Sequence, residues 1–433
     1  MVSTRPSRPD PARVARLAAI LALALAVVGP VAPAAAATPP LGNLTFYGRG
    51  YGHGVGMSQY GARGRALAGQ LAPAILAHYY AKTTLGARDP KTIVRVLVLS
   101  GFPATPAKPA VVTGRGGPWT VDGLSGTFPA DARLTLAPTA DGASTWTVKV
   151  LSATGTVLAS STSLTTVYAR PAAVASLLEI TSKATATNRY RGFFRIRLTT
   201  AVTIINFVEV DAYLRGVVPV EMPSSWPAEA LKAQAIVSRS YALNHTHPTT
   251  GTWDLYDDTR SQVYRGQRAE TTAGNAAIAA TAGKVVLAGT AVANTLYHSA
   301  DGGWTENNEN VFVSATGAVV ASPVSYLRGS SDRAPDGTSY DKSSPYATWK
   351  TATYSPAALS AILAKDPRTN VGTLTAIDLS KRGVSGRLIQ VTLTGSLGTK
   401  AVSGGVFVAA FNAGRPAADP SIRDTLFSTA PLP

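Results

Sequence analysis

The sequence predicts an α+β protein, and three features carry that expectation. Between residues 91 and 190, segments such as TIVRVLVLS, STWTVKVLS and TGTVLASS alternate apolar and polar positions between Gly, Pro and Asp turns, the pattern of half-buried strands. The stretch PAEALKAQAIVSRSYALNH is Ala-rich and of high helix propensity, which places a main helix at about 227–244. The 433 residues, 45% of them hydrophobic, suffice for a sizeable core and are compatible with two or three domains that pack against one another.

Taken in order, the chain begins with Arg5, Arg8, Arg13 and Arg16 against a single Asp10, then LAAILALALAVV and APAAAATPP. Basic, apolar and small residues in that order read as a secretory signal peptide over 1–37, cut near Ala36 or Ala37. A membrane span needs about 20 apolar residues, and Gly29, Pro30 and Pro33 interrupt this run. The expected location is extracellular or on a cell wall.

Residues 38–90 hold YGRGYGHGVGMSQYGARG, followed by one or two short helices broken near Pro73 and stopped by Gly86. Residues 91–190 read as a β-rich insertion subdomain. The core domain then runs over 191–433. In it, strands lead through GVVPVEMPSSWP into the main helix, where Pro227 suits a first turn and Glu229 complements the positive end of the dipole. Further on, GKVVLAGTAVANTLYHSADGG reads as a strand pair around Gly289, and GRLIQVTLTG as a strand.

Composition narrows the function. The formal charge is +16, which favours polyanions as partners. Nucleic acid competes for that role, but the basic residues are scattered and no helix-turn-helix, zinc-finger or RNP pattern accompanies them. A chain without cysteine relies on packing for stability and has no thiolate for a metal. The histidines are His53, His78, His245, His247 and His298, with no HExxH. His245 and His247 form an H-x-H at a helix end, where solvated histidines are ordinary, so neither a metal nor any other cofactor is expected.

The glycine-rich stretch lacks both GxxxxGK[ST] and a GxGxxG with its downstream acid, which argues against nucleotides. Ser58 in GMSQYG misses the nucleophile elbow because Tyr60 occupies the second glycine position, and it suits a helix N-cap instead. If the segment is extended, its glycines share one face that a polymer could approach closely, with His53 among them; a tight turn with an exposed histidine is the alternative. Glu221 stands between an apolar strand and the main helix, flanked by Val220, Met222 and Pro223. Such surroundings raise a carboxyl pKa and suit general acid work, although an ion pair, for example with Arg239, fits the local sequence equally.

The stretches YLRGVVPVEMPSSWPAEALKAQAIVSRSYAL (213–243), SQVYRG (261–266), YHSADGGWTENNENVF (297–312), SGR (385–387) and GHGVGMSQYGARG (52–64) together resemble the stage II sporulation protein D (SpoIID)/LytB family of bacterial wall proteins. Family members include lytic transglycosylases that cut peptidoglycan glycan strands to leave 1,6-anhydro-muramyl ends, and LytB-type modifiers of a wall amidase. The resemblance implies peptidoglycan as partner, with anionic wall polymers and an amidase as further candidates. It places the family's catalytic glutamate at Glu221. It also puts Arg239, Tyr241, Gln262, Tyr264, His298 and Ser299, together with His53 and Gln59, around the substrate cleft. A muramidase-type hydrolase would need a second acid from Asp254, Asp257, Asp258, Asp301 or Glu306. Some relatives bind zinc through cysteines that are absent here, so zinc is not carried over. In many relatives the GHGVGMSQYGA segment follows the SGR strand, whereas here it precedes the core. If it fills the same place, it should pack beside residues 385–395 and near Glu221.

Overall fold

Alternation in the β-rich region builds two six-stranded sheets, in a computed structural model that describes residues 41–247 and 251–432. The expected signal peptide lies outside the described residues. One sheet is ordered Leu255–Tyr256, Ile93–Phe102, Val202–Glu209, Phe193–Leu198, Thr166–Pro171 and Trp119–Val121. The other runs Arg189–Tyr190, Leu177–Ile180, Ala110–Arg115, Arg133–Pro138, Trp146–Leu151 and Val157–Ser161. Their inward residues, among them Val96, Val112, Trp119, Leu134, Val148, Phe194 and Ile204, form one hydrophobic core. Strands from either side of residue 190 hydrogen-bond within the first sheet, Thr166–Pro171 to Phe193–Leu198 and Ile93–Phe102 to Val202–Glu209. Residues 91–190 and the segment after them therefore share a sheet and a core.

Helices gather in a second cluster. Ser58 caps the helix Gln59–Leu67, accepting from the Gly61 N–H at 3.1 Å. The next helix, Ala72–Tyr79, carries Pro73 in its first turn, where a missing N–H is harmless. The chain thus breaks at residues 68–71 rather than at Pro73. Gly86 lies inside a strand, Thr84–Ala87, instead of ending a helix. The main helix is Ala228–Asn244, with Pro227 at its N-cap. It buries Ala233, Ile236 and Val237 against Ile75, Leu76 and Met57 of the N-terminal elements. The hairpin around Gly289 forms as expected, between Lys284–Ala288 and Ala291–Val292.

A third region closes the chain. Leu374–Asp378, Gln390–Gly395 and Gly398–Ser403 form an antiparallel sheet, with helices Pro356–Leu363 and Gly404–Gly414 beside it. Into this region the glycine-rich segment is sewn at its start. Tyr47–Gly48 pairs with Trp349–Lys350 on one side and Phe427–Ser428 on the other, and Phe46 meets the rings of Phe407, Phe411 and Phe427 edge-on at 5.3–5.6 Å.

From there the segment does not run as an extended strand, because Gly50, Gly52, Gly54 and Gly56 all take positive φ. Gly52 is exposed, but Gly54 and Gly56 are buried. A Cβ on Gly54 would overlap the Arg387 guanidinium, and one on Gly56 would overlap the Leu296 carbonyl. The Gly54 carbonyl accepts from the Glu306 N–H at 2.7 Å, and Met57–Ser58 pairs in parallel with Tyr297–His298. The bare backbone thus serves close internal packing between the 296–306 and 385–387 stretches.

Two glycines separate the backbone term from the packing term. Gly54→Ala combines a strained φ of +78° with a steric overlap, while Gly69 has φ +85° and no neighbour within 4 Å. Gly69→Ala is expected to cost about 1–2 kcal/mol, from the left-handed backbone alone. Gly54→Ala is expected to cost about 2 kcal/mol more than that, from overpacking. Urea denaturation of both variants measures the difference; equal losses would remove the packing account.

Candidate functional site

Glu221 ends the short helix Val218–Glu221, which Pro219 starts and Pro223 prevents from continuing. Its neighbours on the chain face opposite ways: Met222 is fully buried, whereas Val220 is 38% exposed. The carboxyl group therefore lies at the boundary of the core, half-buried but open on one side.

Polar groups from five segments surround it. Glu221 Oε1 accepts from the Val263 N–H at 3.0 Å, and its carbonyl oxygen accepts from Gln59 Nε2 at 3.0 Å. Gln59 Nε2 also reaches Gln234 Oε1 at 3.3 Å, and Gln234 in turn donates to Ser238 Oγ at 2.9 Å. On the other side Gln262 accepts from the Tyr213 hydroxyl at 3.3 Å and donates to the Tyr297 hydroxyl at 3.2 Å. Amides and phenols make up this shell, with no charge opposite the acid.

That shell sets the acid strength. Burial pushes the Glu221 carboxyl above its ordinary value of 4.5, and bonds from the Val263 N–H, the Tyr297 hydroxyl and the Gln59 amide offset only part of the rise. Arg239, the suggested ion-pair partner, is fully buried elsewhere. It binds Asp211 at 2.6 Å and the Lys284 carbonyl at 3.0 Å, locking the main helix to its neighbours.

The remaining residues singled out in the sequence fall into three groups. Gln59, Gln262 and Tyr241 lie near Glu221; burial raises the Tyr241 phenol, and the Glu221 charge adds to the rise. Tyr264 is a core residue, its hydroxyl on Asn206 Oδ1 at 3.1 Å and its ring 4.8 Å from that of Tyr213. His298 and His53 form a separate pair, with ring centroids 5.4 Å apart. His298 Nδ1 lies 3.2 Å from the Val55 carbonyl, and His53 Nδ1 accepts from the Val55 N–H at 3.0 Å. Burial and the nearby Arg387 charge hold His53 down at about 4, and burial holds His298 well below its usual range, so both rings are neutral at pH 7. His53 lines a cavity of about 260 Å³ with Asn310, Leu388 and Arg423, a set that does not include Glu221. Ser299 offers its carbonyl to the Tyr60 N–H at 2.9 Å. Adjacent residues of one strand thus serve two places, Tyr297 toward Glu221 and His298 toward His53.

The acids considered as a second carboxylate are held elsewhere. Asp254 binds Arg95 at 2.6 Å, Asp257 binds Lys183 at 2.5 Å, and Asp258 binds Arg260 at 2.7 Å. Glu306 is fully buried and accepts from Ser385 Oγ at 2.6 Å and the Ser385 N–H at 2.9 Å. Asp301 is fully buried and lies against Asp332, which with desolvation raises its pKa well above normal. Among the described residues, no group of three or more His, Asp or Glu is placed to hold a metal ion.

Sequence reasoning did not single out Tyr213, Tyr297, Gln234, Ser238 or the Val263 N–H. All lie within or beside the stretches that carried Glu221, and alternation along YHS was the available sign for Tyr297.

Residues 199–287, which include Glu221 and the main helix, match the SpoIID family model, described as stage II sporulation protein. The chain is 33% identical over 146 residues to the amidase enhancer of Bacillus subtilis, and 31% identical over 125 residues to an uncharacterised protein of Brachyspira hyodysenteriae. These alignments take in 32% and 28% of this chain, and 20% and 34% of those relatives' own lengths. The similarity to the SpoIID family is carried by residues 199–287.

The raised pKa makes Glu221 a stability term with a definite sign. The native state keeps this proton to higher pH than the unfolded chain, so stability falls as pH rises from 4.5 through the folded value. Glu221→Gln is expected to melt at a higher temperature than wild type above that window, and to lose the advantage below it. Thermal melts between pH 4 and pH 8 check this; a variant less stable than wild type at pH 8 would contradict it.

Proposed function

We propose that this protein acts on peptidoglycan as a lytic transglycosylase, with Glu221 as the single catalytic acid and base. The observation that carries the reading is a half-buried carboxyl of raised pKa, open on one side and without a cation beside it. Protonated Glu221 donates to the glycosidic oxygen as the bond from that oxygen to C1 breaks. The resulting carboxylate then takes the proton of the muramyl 6-hydroxyl as O6 bonds to C1. The proton lost from O6 balances the proton given to the leaving sugar, and no water enters. Gln59, Tyr297 and the Val263 N–H favour the carboxylate form and steady it between the two transfers. A one-acid reaction accords with the engagement of Asp254, Asp257, Asp258 and Glu306 in other bonds.

A second reading rests on the B. subtilis relative, whose name is amidase enhancer. On that reading the same face grips glycan and assists a wall amidase without cutting. The expected location is outside the cell, on the wall, where the +16 charge would meet anionic polymers.

Incubation with intact and peptide-stripped glycan strands, followed by mass spectrometry, is expected to yield anhydro-muramyl ends. Glu221→Gln is expected to lower their formation by about 10²-fold or more. Reducing ends would indicate a hydrolase, whereas co-sedimentation with the wall and no products would favour the enhancer reading. Cleavage falls as pH rises through the Glu221 pKa, because the acid must hold its proton. Gln59→Leu, which removes a group that favours the carboxylate, is expected to move that alkaline limb to higher pH. An unchanged limb in an active Gln59→Leu enzyme would remove Gln59 from the tuning of the acid.

A further inference from the structure

A second pocket, of about 370 Å³, gathers positive charge that no ion pair among the described residues balances. Its lining includes Arg49, Arg333 and Arg382, with the backbone of Gly302 and Gly303 and the side chain of Trp304. The buried arginines elsewhere have carboxylate partners, as Arg65 has Asp332, Arg239 has Asp211 and Arg387 has Asp424. These three have none among the described residues. Arg49 donates to the Leu432 carbonyl at 3.0 Å, Arg333 to the Gly337 carbonyl at 2.9 Å, and Arg382 to the carbonyls of Gly386 and Phe427 at 2.6 and 2.9 Å.

The two glycines of the wall let Arg49 and Arg333 lie against this turn. A Cβ on Gly302 would come within 2.8 Å of Arg49 Cβ, and one on Gly303 within 3.4 Å of the Arg333 guanidinium. Asp341 is the carboxylate nearest to this wall in bonding terms, and it is spent there: fully buried, it accepts from the Gly302 N–H at 2.7 Å and from Ser339 Oγ at 2.5 Å. Arg387 fixes the same turn from behind, donating to the carbonyls of Asp301 and Trp304 at 2.9 Å each. Arg49 and the exposed Arg333 repel one another, Arg49 and Arg382 are partly buried and lose solvation, and an anion seated among them would relieve both costs. Burial lowers the Arg49 pKa, the Arg333 charge adds to the effect and the Asp341 charge offsets part of it; burial also lowers that of Arg382. Trp304, 40% exposed, adds an indole face of the kind that packs against a sugar ring.

We propose that this pocket binds the acidic group of a saccharide, a carboxylate or phosphate carried on a sugar whose ring lies against Trp304. Planar guanidinium forks suit both anions, and a flat indole suits the ring that bears them. The pocket lies at the other end of the glycine segment from Glu221, with Arg49 here and Gln59 there. It would hold an acidic wall polymer by a contact separate from the cutting site.

Calorimetric titration of the full chain with glucuronate, glucose 6-phosphate, glucose and inorganic phosphate tests this without measuring cleavage, so its failure would leave the Glu221 reading intact. At least one of the two acidic sugars is expected to bind saturably, about tenfold or more tighter than glucose or inorganic phosphate. Whichever of them binds tighter shows whether an acidic sugar or a sugar phosphate is the natural ligand. Arg49→Gln and Arg333→Gln are each expected to weaken binding by about tenfold. Arg133→Gln, an exposed arginine on the distant sheet, changes net charge equally and should leave binding unaltered. Trp304→Ala should bring the acidic sugar down to the level of inorganic phosphate. Both acidic sugars binding no better than glucose, or Arg133→Gln weakening binding as much as Arg333→Gln in variants with unchanged melting temperatures, would overturn the proposal.

Discussion

The packing of Gly54 against the buried Arg387–Asp424 ion pair is the constraint on which the site depends. Arg387 donates to both Asp424 oxygens, at 3.0 and 2.6 Å, and to the carbonyls of Asp301 and Trp304. One side chain thereby joins three stretches far apart in sequence, and the glycine backbone lies directly on it. Removing one partner of such a pair leaves an uncompensated buried charge, at a cost of about 3–5 kcal/mol. The geometry permits nothing larger than hydrogen at residue 54, and this fixes the path of residues 49–59. Everything placed by that path, from Arg49 at one end to Gln59 at the other, inherits its position from the ion pair.

Charge is distributed unevenly around this frame, and the unevenness carries the chemistry. A chain with 40 Lys and Arg residues has ample cations to neutralise a buried acid. Asp211, Asp254 and Asp332 each receive an arginine. Glu221 receives amides and phenols instead, groups that steady its charge without fixing it. An arginine beside it would favour the carboxylate and pull its pKa down, against the rise that burial gives it. The arginine pocket shows the opposite imbalance, three arginines without an ion pair among the described residues and with the nearby Asp341 bonded to Gly302 and Ser339. Both departures from pairing occur where a ligand could complete the set, whereas the pairs that hold the fold together are complete within the protein.

Legibility in the sequence followed the range of the interactions. Strands at 93–102 and 146–151, the main helix, the Ser58 cap and the hairpin at Gly289 were readable because periodicity and local hydrogen bonding decide them. The apolar setting of Glu221 was readable for the same reason. Pro73 and Gly86 misled because each residue is compatible with more than one position, a first helical turn in one case and a strand in the other. Arg239 looked available for substrate because sequence gives its charge but not its burial. The glycine run was the hardest part to read, since its partners lie hundreds of residues away, at Arg387 and Leu296. Alternating glycines suggested an open face, and only the contacts reveal that the face is occupied by the protein itself.

Those contacts also bear on the reversed order of glycine segment and core that the resemblance implies for relatives. Tyr47–Gly48 and Phe427–Ser428 are paired strands of one small sheet, so the two sides of the fold from which the segment could be reached are adjacent. A chain entering at residue 47 and a chain continuing past residue 428 would face the same slot between Arg387 and the 296–306 stretch. Moving the segment from one end to the other changes a connection and leaves the packing unchanged, as with circular permutation at neighbouring ends. The requirement that survives such a move is physical: a bare backbone against the guanidinium, followed along the chain by an amide that reaches the acid's residue, as Gln59 reaches the Glu221 carbonyl at 3.0 Å.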